Sequence, residues 1–143
     1  MRLPLKRRVT GARIDYEGAE QAALFDWLRL LHPEAHALAF HVPNGGHRHI
    51  KVAADLKRQG VKAGVPDIVL PMPRGGFHGL YIEFKAAKPN DAAVAPTQRA
   101  YLAALERQGY FATVCRGIDE AIQVIEAYLA SGRTEVVGRV AAR

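Results

Sequence analysis

Between Gly64 and Lys85 two apolar, β-branched runs, Ile68-Val69-Leu70 and Leu80-Tyr81-Ile82-Glu83-Phe84-Lys85, are separated by Pro71, Pro73, Gly75, Gly76 and Gly79. Runs of that kind punctuated by proline and glycine spell strand, loop, strand, and no other stretch restricts the fold as much. Side chains alternate along a strand with period two, so Leu80, Ile82 and Phe84 share one face while Tyr81, Glu83 and Lys85 share the other. Asp67 follows Pro66 and opens the neighbouring strand. If the two strands pair, its carboxylate converges with that of Glu83 on one edge of the sheet.

Two acids and a lysine so placed suit phosphodiester hydrolysis assisted by a hard divalent cation. Carboxylates hold Mg2+ or Mn2+, ions that keep several waters and take up phosphate oxygens directly, and such an ion lowers the pKa of a water and offsets charge on the phosphoryl group. Lys85 would orient or deprotonate the attacking water, or neutralise the pentavalent state. The plain alternative is a surface hairpin with an exposed Glu-Lys pair. Spacing alone does not separate the two, because Asp followed by Glu-x-Lys is common by chance.

At 143 residues the chain is one domain of ordinary size. Lys and Arg number 20 against 14 Asp and Glu, a net charge of +6 and a pI of 9.8, which points to a polyanionic partner. The single cysteine, Cys115, excludes an internal disulfide framework and makes a reducing cytosol the default compartment. No run approaches membrane-spanning length, and Met1 to Lys6 lacks the apolar centre of a signal peptide. A soluble cytoplasmic protein is expected.

Along the chain, residues 1–13 read as a basic arm, 14–131 as the folded domain and 132–143 as a basic tail carrying Arg133, Arg139 and Arg143. Leu24, Trp27, Leu28 and Leu31 recur at helical spacing from Tyr16, with Asp15 as N-cap and His32-Pro33 as the stop. That stripe, extended backward, runs through Glu17, Glu20 and Gln21, so that two acids sit where the face should be apolar, although glutamates also favour the positive end of a helix dipole. Ala37 to Val42 reads as a strand. The turn Pro43-Asn44-Gly45-Gly46 follows, and exposed backbone N–H groups at Asn44 and Gly45, with Arg48 as a bidentate donor, would seat a phosphate. Residues 48–59 read as a helix with Ile50, Ala53 and Leu56 inward and Lys51, Lys57 and Arg58 outward, and Lys62 lies on the loop that delivers Asp67. Pro96 opens a third helix at the position proline prefers, with Tyr101, Leu102 and Leu105 buried and Gln98 facing the sheet from the first turn. Tyr110 to Cys115 is a fourth strand, and Ile118, Ile122, Ile125 and Leu129 mark the last helix, with Cys115 in the core.

Several of these words occur in a set order: Pro43-Asn44-Gly45-Gly46, then Gly60-Val61-Lys62-Ala63-Gly64-Val65-Pro66-Asp67, then Glu83-Phe84-Lys85, then Gln98. The chain thereby resembles, from about Tyr16 to Leu129, the small, phage-type stand-alone form of the VRR-NUC family within the PD-(D/E)xK nuclease superfamily. The resemblance implies an α/β fold, a restriction-endonuclease-like αβββαβ core with a mixed central sheet flanked by helices. It implies a Mg2+- or Mn2+-dependent DNA endonuclease of the Holliday-junction-resolvase type, working as a homodimer in a bacterial or phage-infected cytosol. Asp67, Glu83, Lys85 and Gln98 would form the catalytic set, joined at the metal by an acid of the first helix, Glu17 or Glu20. Asn44, Gly45, Arg48 and Lys62 would contact DNA.

Two other classes compete. A basic module that only binds nucleic acid satisfies the charge, but it gives no reason for carboxylates, which repel phosphate, to converge. A zinc protein built on His41, His47, His49 and Cys115 would need ligand spacings these residues do not have.

Overall fold

The hairpin forms, and the rest of the chain is laid against it. In the computed structural model, which describes residues 12–43 and 50–136, β2 (Ile68–Leu70) pairs antiparallel with β3 (Leu80–Lys85), Ile68 opposite Ile82. On the far side of β2 lies the short β1 (Phe40–His41), also antiparallel; on the far side of β3 lies β4 (Phe111–Arg116), parallel to it. The sheet order is therefore β1-β2-β3-β4. A parallel neighbour requires a crossover, and α4 (Pro96–Arg107) supplies it. With α1 (Tyr16–Leu31) ahead of the sheet and α5 (Gly117–Ala130) after β4, the expected αβββαβ order is present, with two insertions, α2 (Pro33–Leu38) and α3 (Ile50–Arg58).

β3 is the centre of the molecule, buried on both faces as a strand beneath two helical layers must be. Leu80, Ile82 and Phe84 are at most 1% exposed and pack with Leu24, Leu28, Ile125 and Tyr128 of α1 and α5. Asp15 starts α1 as expected, its Oδ1 accepting from Gly18 N at 2.8 Å. Leu31, expected inward, is 62% exposed, because Pro33 opens a second helix whose buried Ala35 closes the core there. That same helix shortens the strand expected over residues 37–42 to Phe40–His41. Proline at the first helical position is pre-set for helix, and six residues suffice for one.

The helix expected over 48–59 exists as Ile50–Arg58, but its inward face is a correction: Ile50 is 86% exposed, Ala53 is exposed and Leu56 only half-buried. The apolar period is present, yet the helix stands off the sheet. In α4 only Leu102 is buried, with Tyr101 and Leu105 half-covered. In α5, Ala121, Ile125 and Tyr128 carry the contact while Ile118, Ile122 and Leu129 lie at its margins. No described helix is long and apolar enough to cross a membrane.

Candidate active site

Asp67 is gripped by the strands on either side. Its carbonyl accepts from Val42 N at 2.7 Å and from His41 Nδ1 at 2.9 Å, and its Oδ2 accepts from Phe84 N at 2.8 Å. The carboxylate is thus pinned at the opening of β2, next to Glu83. Glu83 and Lys85 are 1% and 7% exposed, which overturns the exposed-pair reading of the hairpin. Lys85 Nζ lies 3.0 Å from Glu83 Oε1, and Gln98 Nε2 donates to the same oxygen at 2.6 Å.

Gln98 does two jobs from the first turn of α4. Its Oε1 accepts from Ala95 N at 2.8 Å, closing half a capping box that alanine cannot complete, and lies 3.4 Å from Lys85 Nζ. The helix start is therefore fastened to the two charged residues of β3. Gly64, at φ +82°, lets the loop before Asp67 press on this turn, since a Cβ there would stand 2.5 Å from Thr97 O.

The electrostatics are those of a site short of positive charge. Burial, then the neighbouring Asp67 carboxylate, pushes the Glu83 carboxyl up to about 7 against the opposing pull of Lys85. Glu17 is also raised, first by burial and also by Asp67, again opposed by Lys85. Glu83 Oε2 is buried with no hydrogen-bond partner among the described residues, an arrangement costly enough to need an explanation. A hydrated divalent cation fits it: the orphaned oxygen supplies a hard donor beside Asp67, and the surplus negative charge would be offset. Among the described residues no three His, Cys, Asp or Glu side chains form a ready cage. Magnesium needs none, being held by one or two carboxylates with waters and phosphate oxygens for the rest.

Of the two glutamates left open by the sequence, Glu17 lines the same cleft of about 400 Å³ as Asp67, Glu83, Lys85 and Gln98. Glu20, one turn on, accepts from Ala87 N at 2.8 Å through Oε2 and so holds the exit of β3. The cleft also includes Asp15, Gln21 and His41, which sequence reading did not assign to it. Gln21 sits four residues after Glu17, a spacing that could have flagged it; His41 carried no local signal. Lys62, with Lys57, lines an adjoining cleft of about 610 Å³ that shares Asp67 and Gln98. A larger cleft of about 730 Å³, with Arg13 and Tyr16, meets the site at Glu17.

The phosphate seat at Asn44, Gly45 and Arg48, together with His47 and His49, lies outside the described residues, as do residues 1–11 of the basic arm and 137–143 of the tail. Cys115 is fully enclosed as expected, its thiol pushed up to about 12 by burial and, to a smaller extent, by Glu120.

Residues 15–119 match the family model of the VRR-NUC domain. A solved structure described as a VRR_NUC domain protein is similar at a TM-score of 0.74 and 30% identity, over 90% of this chain and 99% of that one. No curated protein matches the sequence. The matched span holds every carboxylate of the cleft, and Lys85 and Gln98 with them.

Proposed function

Since the chain belongs to the VRR-NUC domain family, a nuclease-type domain, we propose that it hydrolyses DNA phosphodiester bonds as a Mg2+- or Mn2+-dependent endonuclease of the PD-(D/E)xK type. The observation that carries this reading is the buried, partnerless Oε2 of Glu83 beside Asp67, with Lys85 and Gln98 fixed on the other oxygen. Asp67 and Glu83 would hold the ion, with Glu17 rather than Glu20 as the acid that α1 brings to the cleft. When bound, the ion supplies Lewis-acid stabilisation of the phosphoryl oxygens and eases deprotonation of a water. Lys85, a buried ammonium held by Glu83 and Gln98, donates to the attacking water or to the phosphoryl oxygens as charge builds. Gln98 keeps the Glu83 carboxylate and the Lys85 ammonium in register. Lys57 and Lys62 meet the DNA backbone along the adjoining cleft. A module that only binds nucleic acid has no use for burying carboxylates with one oxygen unsatisfied.

The preferred substrate in this reading is a branched DNA, a four-way junction above linear duplex, cut by a homodimer whose two-fold symmetry matches the substrate. Purified protein assayed on linear, single-stranded, flapped and four-way DNA, with Mg2+, Mn2+ or chelator, tests it. Cutting should require the ion, and Asp67→Ala and Glu83→Ala should each abolish it while the circular-dichroism spectrum stays native. Wild-type cutting by either variant, or cutting in chelator, would remove the assignment.

A further inference from the structure

The cleft of about 730 Å³ lies between the entry to α1, residues 13–17, and the loop that leaves β3, residues 89–92, and it shares Asp15 and Glu17 with the catalytic cleft. Its walls are fastened to the rest of the fold. Glu20 Oε2 accepts from Ala87 N at 2.8 Å, tying α1 to the start of the loop, and Arg116 Nε donates to Asp91 Oδ2 at 3.0 Å, tying the loop to β4. The volume falls in the range of small-molecule sites, about 300–1,000 Å³.

Its lining is not that of a path for phosphates. Asp15, Glu17 and Asp91 bring carboxylates to it against the single cation Arg13 among the described residues, and carboxylates repel phosphate. Tyr16 is 45% exposed there. Neither its ring nor its hydroxyl has a partner among the described residues, whereas Tyr81 and Tyr110 meet edge to face and the Tyr128 hydroxyl is bonded to Met72 O. The Asn90 side-chain amide and Asp91 Oδ1 are likewise without a hydrogen bond among the described residues. An open aromatic face beside an amide and a carboxylate oxygen suits a flat, neutral group with a hydrogen-bonding edge. Of the parts of a nucleotide, the base is the one with those properties.

We propose that this cleft is a nucleobase subsite: an unpaired base next to the phosphodiester held at Asp67 and Glu83 stacks on Tyr16 and turns its polar edge to Asn90 and Asp91, while Arg13 meets an adjoining phosphate. The subsite rests on the nuclease reading above and adds to it the feature by which substrate is selected. A base inside a duplex must leave its pair and its stack before it can enter, whereas bases at branch points, flaps and single-stranded ends have less to give up. Selection is by exposure and not by sequence, because every base has a π face. The catalytic cleft then has two neighbours of different chemistry, the one with Lys57 and Lys62 for the backbone and the one with Tyr16 for the base.

Two strands of equal phosphate charge test it, a short oligothymidylate and an abasic strand of the same length, with binding read by fluorescence anisotropy in chelator so that cutting does not intrude. The wild type should prefer the oligothymidylate by about tenfold, the scale of one base stacked on one aromatic ring. Tyr16→Ala should bind both strands alike with an unchanged salt slope, and Tyr16→Phe, which keeps the ring, should keep the preference. Arg13→Ala should also keep it while the slope of log affinity against log salt falls by about 0.7, the share of one phosphate on a single strand. Tyr16→Trp decides the matter even if Tyr16→Ala fails to fold: its emission, over the background of Trp27 in the wild type, should be quenched by the oligothymidylate and not by the abasic strand. Equal binding of the two strands by the wild type, a preference that survives Tyr16→Ala, or Tyr16→Trp emission that responds alike to both strands overturns the proposal. A protein that shows the preference but cuts nothing with Mg2+ or Mn2+ keeps the subsite and overturns the nuclease reading; one that cuts without the preference does the reverse.

Discussion

At the scale of residues, the site is built from groups that fold at a cost. Glu83 binds its proton more tightly in the folded chain than in the unfolded one, its carboxyl rising from the ordinary 4.5 to about 7. Between those values the native state holds more protons, so stability should fall as pH rises through that window and level off above it. In chelator, urea denaturation from pH 4.5 to 8 should show a loss of about 1–3 kcal/mol. Asp67→Asn, which removes the second cause of the shift, should flatten the slope; a slope unchanged in that variant would mean that Asp67 does not act on Glu83. The lysines divide by position. Lys85→Ala should lower turnover by two or more orders of magnitude with DNA affinity retained, whereas Lys62→Ala should leave turnover at saturation and reduce the slope of log affinity against log salt by about 0.9. Equal salt slopes in Lys62→Ala and wild type would take Lys62 off the substrate path.

Among the elements, the decisive contact is between the loop before β2 and the first turn of α4. Gly64 makes it possible twice over, by its positive φ and by the absence of a Cβ that would strike Thr97. Gly64→Ala should cost about 1–3 kcal/mol and lower cutting further than stability explains, because Gln98 follows Thr97. Gly76→Ala, also at positive φ but with nothing within 4 Å, is the control for backbone strain alone. If thermal melts and metal-dependent rates of the two variants coincide, the Gly64 contact does not position Gln98. Legibility also differed by element. The strands β2 and β3 and helices α1, α4 and α5 were readable because proline, glycine and apolar spacing act locally. α2 was missed because a six-residue helix carries less than two turns of pattern, and α3 was assigned an inward face because period reports which side is apolar, not whether anything lies beneath it.

Over the whole molecule, β3 is fixed between two layers, and α5 is tied to the loop leaving β2 by the Tyr128 hydroxyl, which donates to Met72 O at 2.6 Å in the buried interior. Tyr128→Phe should cost about 1–2 kcal/mol by leaving that carbonyl unpaired, with metal-dependent cutting unchanged below the melting temperature; a loss smaller than measurement error would mean another donor replaces it. The sequence by itself determined the hairpin, the face shared by Glu83 and Lys85, the approach of Asp67 and the first-turn position of Gln98, because alternation and helix starts are properties of a few adjacent residues. Only the tertiary structure decided that Glu17 and not Glu20 enters the cleft, that His41 holds the Asp67 carbonyl, and that β4 is left as an edge. Each depends on how separate elements are rotated and ordered against one another, and that is set by the packing of α1 and α5 on β3, contacts between residues far apart in the chain.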